Sequence, residues 1–230
     1  MTNPLEGKGR TALITGASAG IGEALAHVFA AHGFDLVLTA RRHERLQALG
    51  TKLSASHGIK TRAIVADLAR PDGCETLAEA MTAQGLVIDA LVNNAGYAVP
   101  GKYRDTEWRA QRDFIQVLVT APCEMTHRLL PGMAARGYGR ILNVASVAGF
   151  MPGSASHTLY GASKAMLISW SQALHSEEQG SGVHVSALCP GFTFSEFHDV
   201  SGTREAMKRL PSFMWLEADR VAREGYRAVM

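Results

Sequence analysis

The sequence predicts an α/β fold, a doubly wound parallel sheet with helices on both faces in a three-layer α/β/α stack. Three observations point there. Six short apolar runs, residues 11–15, 35–40, 61–66, 88–93, 140–146 and 183–189, alternate with longer segments of helical spacing. Most of these runs are apolar at nearly every position, as strands covered on both faces are. Successive βαβ units cross over right-handedly, which winds the helices onto both sides of an open sheet. With no internal repeat, low-complexity tract or Pro/Gly linker, residues 1–230 read as one domain.

Composition narrows the function classes. Of 230 residues, 47% are hydrophobic and 19% charged, which is ordinary for a globular chain. A formal net charge of +2 argues against nucleic acid and anionic membrane as partners, so any anion site must be local. No apolar run approaches the ~18 residues of a membrane span, and the first residues lack the basic, apolar and cleavage segments of a secretory signal. Cys74, Cys123 and Cys189 are far apart, which suits unpaired thiols in a cytoplasmic protein. Nine scattered histidines offer no ligand spacing, and no metal is expected.

The first strand runs into Gly16-Ala17-Ser18-Ala19-Gly20-Ile21-Gly22, and Ile21, Leu25, Val28 and Phe29 then mark one face of a helix. Glycines between a first strand and first helix permit a tight turn and close approach of a pyrophosphate to the helix N-terminus. The second strand ends at Ala40 and is followed by Arg41-Arg42, with no carboxylate to hold a ribose diol. Two cations opening a helix sit against the positive end of its dipole unless an anion joins them. A 2′-phosphate would be that anion, which points to NADP(H).

Asp67, with Leu68 beside it, follows the third strand; a turn or helix-capping role is nearly as good a reading of the carboxylate. Asn93-Asn94-Ala95-Gly96 closes the fourth. Residues 105–136 form a long helical stretch that Pro122 should kink or divide. The fifth strand ends at Ser146, whose hydroxyl would face the crevice at the sheet's carboxyl edge. Tyr160 and Lys164 stand four residues apart in a helical segment and share a face. There the ammonium, together with the positively charged nicotinamide ring of a bound coenzyme, should favour the phenolate and lower the pKa of a phenol, ordinarily about 10. Leu159, Ala162, Met166, Trp170 and Ala173 mark the apolar stripe of that helix. Pro190-Gly191-Phe192-Thr193 follow the sixth strand.

Thr15 to Gly22 resembles the TGxxxGIG signature of the short-chain dehydrogenase/reductase family, whose fold is Rossmann-type. The NNAG run, Ser146, the Tyr160–Lys164 pair and Pro190-Gly191 recur in that family's order, from about Thr15 to Thr193. The resemblance implies an oxidoreductase that moves a hydride between NADP(H) and a carbonyl or secondary alcohol, with Ser146, Tyr160 and Lys164 catalytic. It implies cofactor contacts from Gly16, Ser18, Gly20, Ile21, Gly22, Arg41, Arg42, Asp67 (on the adenine amino group), Leu68, Asn94, Gly96, Tyr160, Lys164, Pro190, Gly191 and Thr193. It also implies a homodimer or homotetramer. Two departures stand out. Leu118 occupies the place of the family's tetrad asparagine, which predicts a modified proton relay. A seventh strand is not evident before Met230, with truncation or a further tail both open.

Residues 193–216 form the family's variable substrate region. Phe194, Phe197, Phe213, Met214 and Trp215 there suggest an apolar small-molecule carbonyl or alcohol, although core packing explains most of them equally well. The rival reading is a nucleotide-binding sensor or scaffold that has lost turnover. Intact Ser146, Tyr160 and Lys164 weigh against it.

Overall fold

The structure, a computed structural model, describes residues 6–194, 196, 211 and 214–230. Six strands form one parallel sheet in the order β3-β2-β1-β4-β5-β6. They are β1 (Thr11–Thr15), β2 (Asp35–Ala40), β3 (Thr61–Val65), β4 (Ala90–Asn93), β5 (Gly139–Val144) and β6 (Val183–Leu188). The helices are α1 (Gly20–Ala31), α2 (His43–His57), α3 (Gly73–Ala83), α4 (Trp108–Ile115), α5 (Ala121–Ala135), α6 (Thr158–Glu177) and α7 (Ala218–Val229). This is the Rossmann-type architecture that the sequence predicts.

Alternation along the strands divides the apolar side chains between two cores. Ala12, Ile14, Leu36, Leu38, Val92 and Leu142 face α1, α2 and α7. Leu13, Val37, Leu91 and Ile141 point the other way, toward α3, α4 and α5. The chain builds outward from β1 to β3, then returns to start β4 on the other side of β1. The carboxyl ends of β1 and β4 therefore flank the crevice where doubly wound sheets take ligands.

The stretch 105–136 is divided, as expected of Pro122, but over a full turn rather than at one bond. A π-helical turn, Gln116–Thr120, separates α4 from α5, with the Ala121 N–H bonded to the Gln116 carbonyl. Pro122 falls in the first turn of α5, where a missing N–H is tolerated. Its i−4 partner is Leu118, so the Leu118 carbonyl has no α-helical donor.

The apolar stripe expected on α6 is displaced. The buried face carries Ser163, Lys164, Leu167, Ile168, Ser171 and Leu174, while Ala162 and Ala173 are exposed and Leu159, Met166 and Trp170 half-buried. Three polar side chains on the inner face disguise it as the wet one. Beyond β6, two short strands that the sequence did not suggest, β7 (Thr193–Phe194) and β8 (Leu216–Glu217), pair in parallel.

Candidate active site

At the end of β1 one hydroxyl organises three backbone groups. Thr15 Oγ1 donates to the Val92 carbonyl at 3.2 Å and accepts from the N–H groups of Asn94 and Ala95, each at 3.0 Å. Asn94 Nδ2 returns across the crevice to the carbonyls of Thr15 (2.9 Å) and Gly16 (3.3 Å). Asn94 is thus a brace between β4 and the loop, with its amide donors already engaged. The loop comes so close that a Cβ on Gly22 would lie 2.4 Å from both Asn94 Nδ2 and the Gly16 carbonyl oxygen. Gly16 also holds φ +66°, a left-handed conformation that costs other residues ~1–2 kcal/mol.

The N-terminus of α1 has no side-chain cap: Ala19 stands at the capping position. The first-turn N–H groups of α1, around Gly20, Ile21 and Gly22, are therefore left for an anion. Glycines packed to contact and an open helix end fit a dinucleotide pyrophosphate.

The two arginines after β2 separate. Arg42 donates from Nε and Nη2 to Ser18 Oγ (3.2 and 3.0 Å) and from Nη2 to the Ser18 carbonyl (3.3 Å). Its Nη1 reaches Glu196, which also binds Arg45. Burial, then the charges of Asp113 and Asp67, push the Tyr97 hydroxyl up to about 12, and the Arg41 charge opposes them. Asp67 accepts from the Ala69 N–H at 3.1 Å, as a turn-forming carboxylate does. Leu68 is buried beside it, and Gly96 lies against Leu118.

The other half of the site forms where β5 and β6 end. Ser146 has extended backbone, and its Oγ accepts from the Ala148 N–H at 3.1 Å, capping the 3₁₀ turn Val147–Phe150. The Val147 N–H donates to the Pro190 carbonyl at 3.0 Å, joining Ser146 to the Pro190-Gly191 turn. Thr193, buried, closes that turn by donating to the Gly191 carbonyl at 3.0 Å. The Tyr160 hydroxyl is hydrogen-bonded to the Ser146 side chain. Lys164 Nζ lies 5.7 Å from the Tyr160 ring centroid and donates to the Val144 carbonyl at 2.7 Å. The serine, phenol and ammonium thus share one end of β5.

Burial dominates the acidities of the phenol and the ammonium. Burial pushes the Tyr160 phenol up, and the Ser146 hydrogen bond only partly opposes it. Lys164 is 6% exposed, and burial lowers its ammonium to about 8, with the Cys189 thiol opposing. Burial moves the two groups in opposite senses because desolvation disfavours the charged form of each.

Behind the site runs a buried amide and hydroxyl chain that sequence reading missed. Asn93 Nδ2 donates to Asn143 Oδ1 (2.8 Å) and Thr126 Oγ1 (3.2 Å); Asn143 Nδ2 donates to Ser171 Oγ (2.8 Å). Ser171 Oγ donates in turn to the Leu167 carbonyl at 2.6 Å. The chain ties β4 and β5 to α5 and α6, fixing the helix that carries Tyr160. Its only sequence signal was polarity inside apolar runs. Arg45, Tyr97 and Glu196 were missed as well.

In the 193–216 region Phe194 stacks on Trp215 with centroids 4.7 Å apart, and Phe192 lies 5.9 Å from the same ring. Phe194 and Met214 remain partly exposed. Phe197 and Phe213 lie outside the described residues. Among the described residues no helix is long and apolar enough to cross a membrane, and no three His, Cys, Asp or Glu side chains could hold a metal ion.

A doubly wound sheet with a glycine cradle at β1 and a Ser/Tyr/Lys group at β5 defines a class of dinucleotide-dependent oxidoreductases. The short chain dehydrogenase family model matches residues 10–206, and the chain belongs to the short-chain dehydrogenase/reductase family. A sulfoacetaldehyde reductase of Chromohalobacter salexigens is 39% identical over 186 residues, 80% of this chain and 72% of that protein. A very-long-chain 3-oxoacyl-CoA reductase of Phaeosphaeria nodorum is 36% identical over 185 residues, 79% of this chain but only 54% of that one. The chain therefore spans little more than half the length of some curated relatives. A short-chain dehydrogenase from Sphingobium yanoikuyae, solved with NADPH, superposes with a TM-score of 0.87 at 34% identity, covering 95% of this chain and 83% of that one.

Proposed function

We propose that this chain reduces a carbonyl compound with NADPH, or oxidises the matching secondary alcohol with NADP+, and that Tyr160 transfers the proton. The observation carrying the reading is the Ser146–Tyr160 hydroxyl contact with the Lys164 ammonium on the same face. When bound, the coenzyme supplies or accepts the hydride. Gly16, Gly20, Ile21 and Gly22 would hold its pyrophosphate, and Ser18, Arg41 and Arg42 its 2′-phosphate. Asp67, Leu68, Asn94 and Gly96 would line the adenosine and ribose, with Pro190, Gly191 and Thr193 near the nicotinamide.

Burial keeps the Tyr160 phenol protonated near neutrality, so it enters as an acid. Its proton goes to the substrate oxygen, which Ser146 also holds by hydrogen bonding. Lys164, lowered to about 8, changes protonation close to working pH and can restore the proton that Tyr160 gives up. Pro122 removes the α-helical donor of the Leu118 carbonyl, which would then accept from a relay water, although the leucine side chain adds no donor. The modified relay predicts slower or pickier turnover, and the intact Ser146, Tyr160 and Lys164 favour an enzyme over a silent scaffold.

The apolar residues of 193–216 support an apolar small-molecule substrate. The partly exposed Leu159, Met166 and Trp170 on α6 support a homodimer or homotetramer as the working form. We take residues 1–230 as one functional domain acting in the cytoplasm. The test is consumption of NADPH and NADH against a panel of ketones, aldehydes and secondary alcohols. Turnover with NADPH preferred is expected; binding without turnover on any member would favour the sensor reading.

A further inference from the structure

Glu196 is marked by no motif, yet it closes a complete anion site. One of its carboxylate oxygens takes Arg42 Nη1 at 2.9 Å and the other takes Arg45 Nη1 at 2.6 Å. Arg42 is simultaneously forked onto Ser18 Oγ. A hydroxyl from the phosphate loop and two guanidiniums thus converge beside a single carboxylate. Glu196 lies 154 residues from Arg42 and 151 from Arg45, so no local helical spacing brings it there.

The two arginines are poorly placed without an anion. Arg42, preceded by Arg41, is the cap of α2 and Arg45 lies in its first turn, so three guanidiniums stand against the positive helix end with Glu44 the acidic residue of that turn. Hydrogen bonds from Arg45 and then Arg42 hold the Glu196 carboxyl below its ordinary range, so the anionic form is the one bound. A phosphate monoester carries more charge and one more terminal oxygen than a carboxylate, and guanidinium forks suit both.

We propose that Glu196 is an internal stand-in for the 2′-phosphate, its carboxylate seated on Arg42 and Arg45 beside Ser18 until NADP(H) displaces it. Arg45 and Glu196 then become determinants of coenzyme choice in addition to the pair after β2: Arg45 as a phosphate ligand, Glu196 as a competitor. This rests on the NADP(H) reading above. A coenzyme without the 2′-phosphate brings no anion to exchange for the carboxylate.

The test is calorimetric binding of 2′,5′-ADP and 5′-ADP to the wild type, Glu196→Gln and Arg45→Ala. These need no turnover, and the substituted side chains are surface-exposed. Two exposed ion pairs of ordinary strength correspond to about a 2- to 20-fold effect. Glu196→Gln should bind 2′,5′-ADP tighter by that factor and Arg45→Ala should bind it more weakly, while 5′-ADP changes less than about twofold in either. If wild type prefers 2′,5′-ADP but Glu196→Gln binds it no tighter, the stand-in is wrong and the NADP(H) reading survives. If wild type shows no preference between the two nucleotides, both fall.

Discussion

Replacing Thr15 by valine keeps the shape of a side chain that is 2% exposed and removes its oxygen. The Val92 carbonyl and the N–H groups of Asn94 and Ala95 then lose the partner that serves them at 3.2, 3.0 and 3.0 Å. Each unmade bond at a fully buried group costs ~1–3 kcal/mol. Asn94 and Ala95 are only partly buried, so water recovers some of this and the total should be ~3 kcal/mol. Thr15→Ser keeps the oxygen and loses one methyl, worth ~1 kcal/mol. Denaturant unfolding should therefore place the valine variant ~2 kcal/mol below the serine variant, with unchanged slope. Because the same oxygen sets the distance between β4 and the loop, the valine variant should also bind NADPH more weakly than the serine variant. A valine variant as stable as the serine variant would refute the reasoning.

Three further outcomes are expected. Lys164 should titrate near 8 in the free protein, read from its ε-carbon chemical shift. Its folded value lies below the ordinary 10.5, so between those limits the unfolded chain holds the extra proton. Wild type should accordingly gain stability relative to Lys164→Met as pH rises from 8 toward 10.5; a flat difference would place the ammonium in water. Leu118→Asn should raise turnover if the relay is the weak step, while burying an amide at a 1%-exposed position lowers stability by ~2 kcal/mol; equal turnover removes the relay argument. Asn143→Leu should lower stability by ~2 kcal/mol, because Asn93 Nδ2 and Ser171 Oγ each lose one of two buried partners; unchanged unfolding would show that the buried chain contributes nothing.

What was legible in the sequence is what local chemistry writes there. Strand positions fell within two residues at each end because a sheet covered on both faces demands unbroken apolar runs. The glycine loop and the Tyr160–Lys164 spacing encode short-range geometry that the fold then preserves. Contacts closed across the sequence were not legible. Glu196 on Arg45 spans 151 residues, and nothing periodic announces it. The inner face of α6 was misread because Ser163, Lys164 and Ser171 turn hydrogen-bonding groups inward. Burial of the Tyr160 phenol was not legible for a related reason: spacing reveals a neighbouring charge, whereas desolvation depends on everything packed around it.

The role of Tyr160 is tested most directly by one comparison, turnover and NADPH affinity of Tyr160→Phe against the wild type on the best carbonyl substrate of the panel. Loss of the proton donor should lower kcat at least ~100-fold with NADPH affinity unchanged. Undiminished turnover in that variant would contradict the mechanism, whatever else the cleft binds.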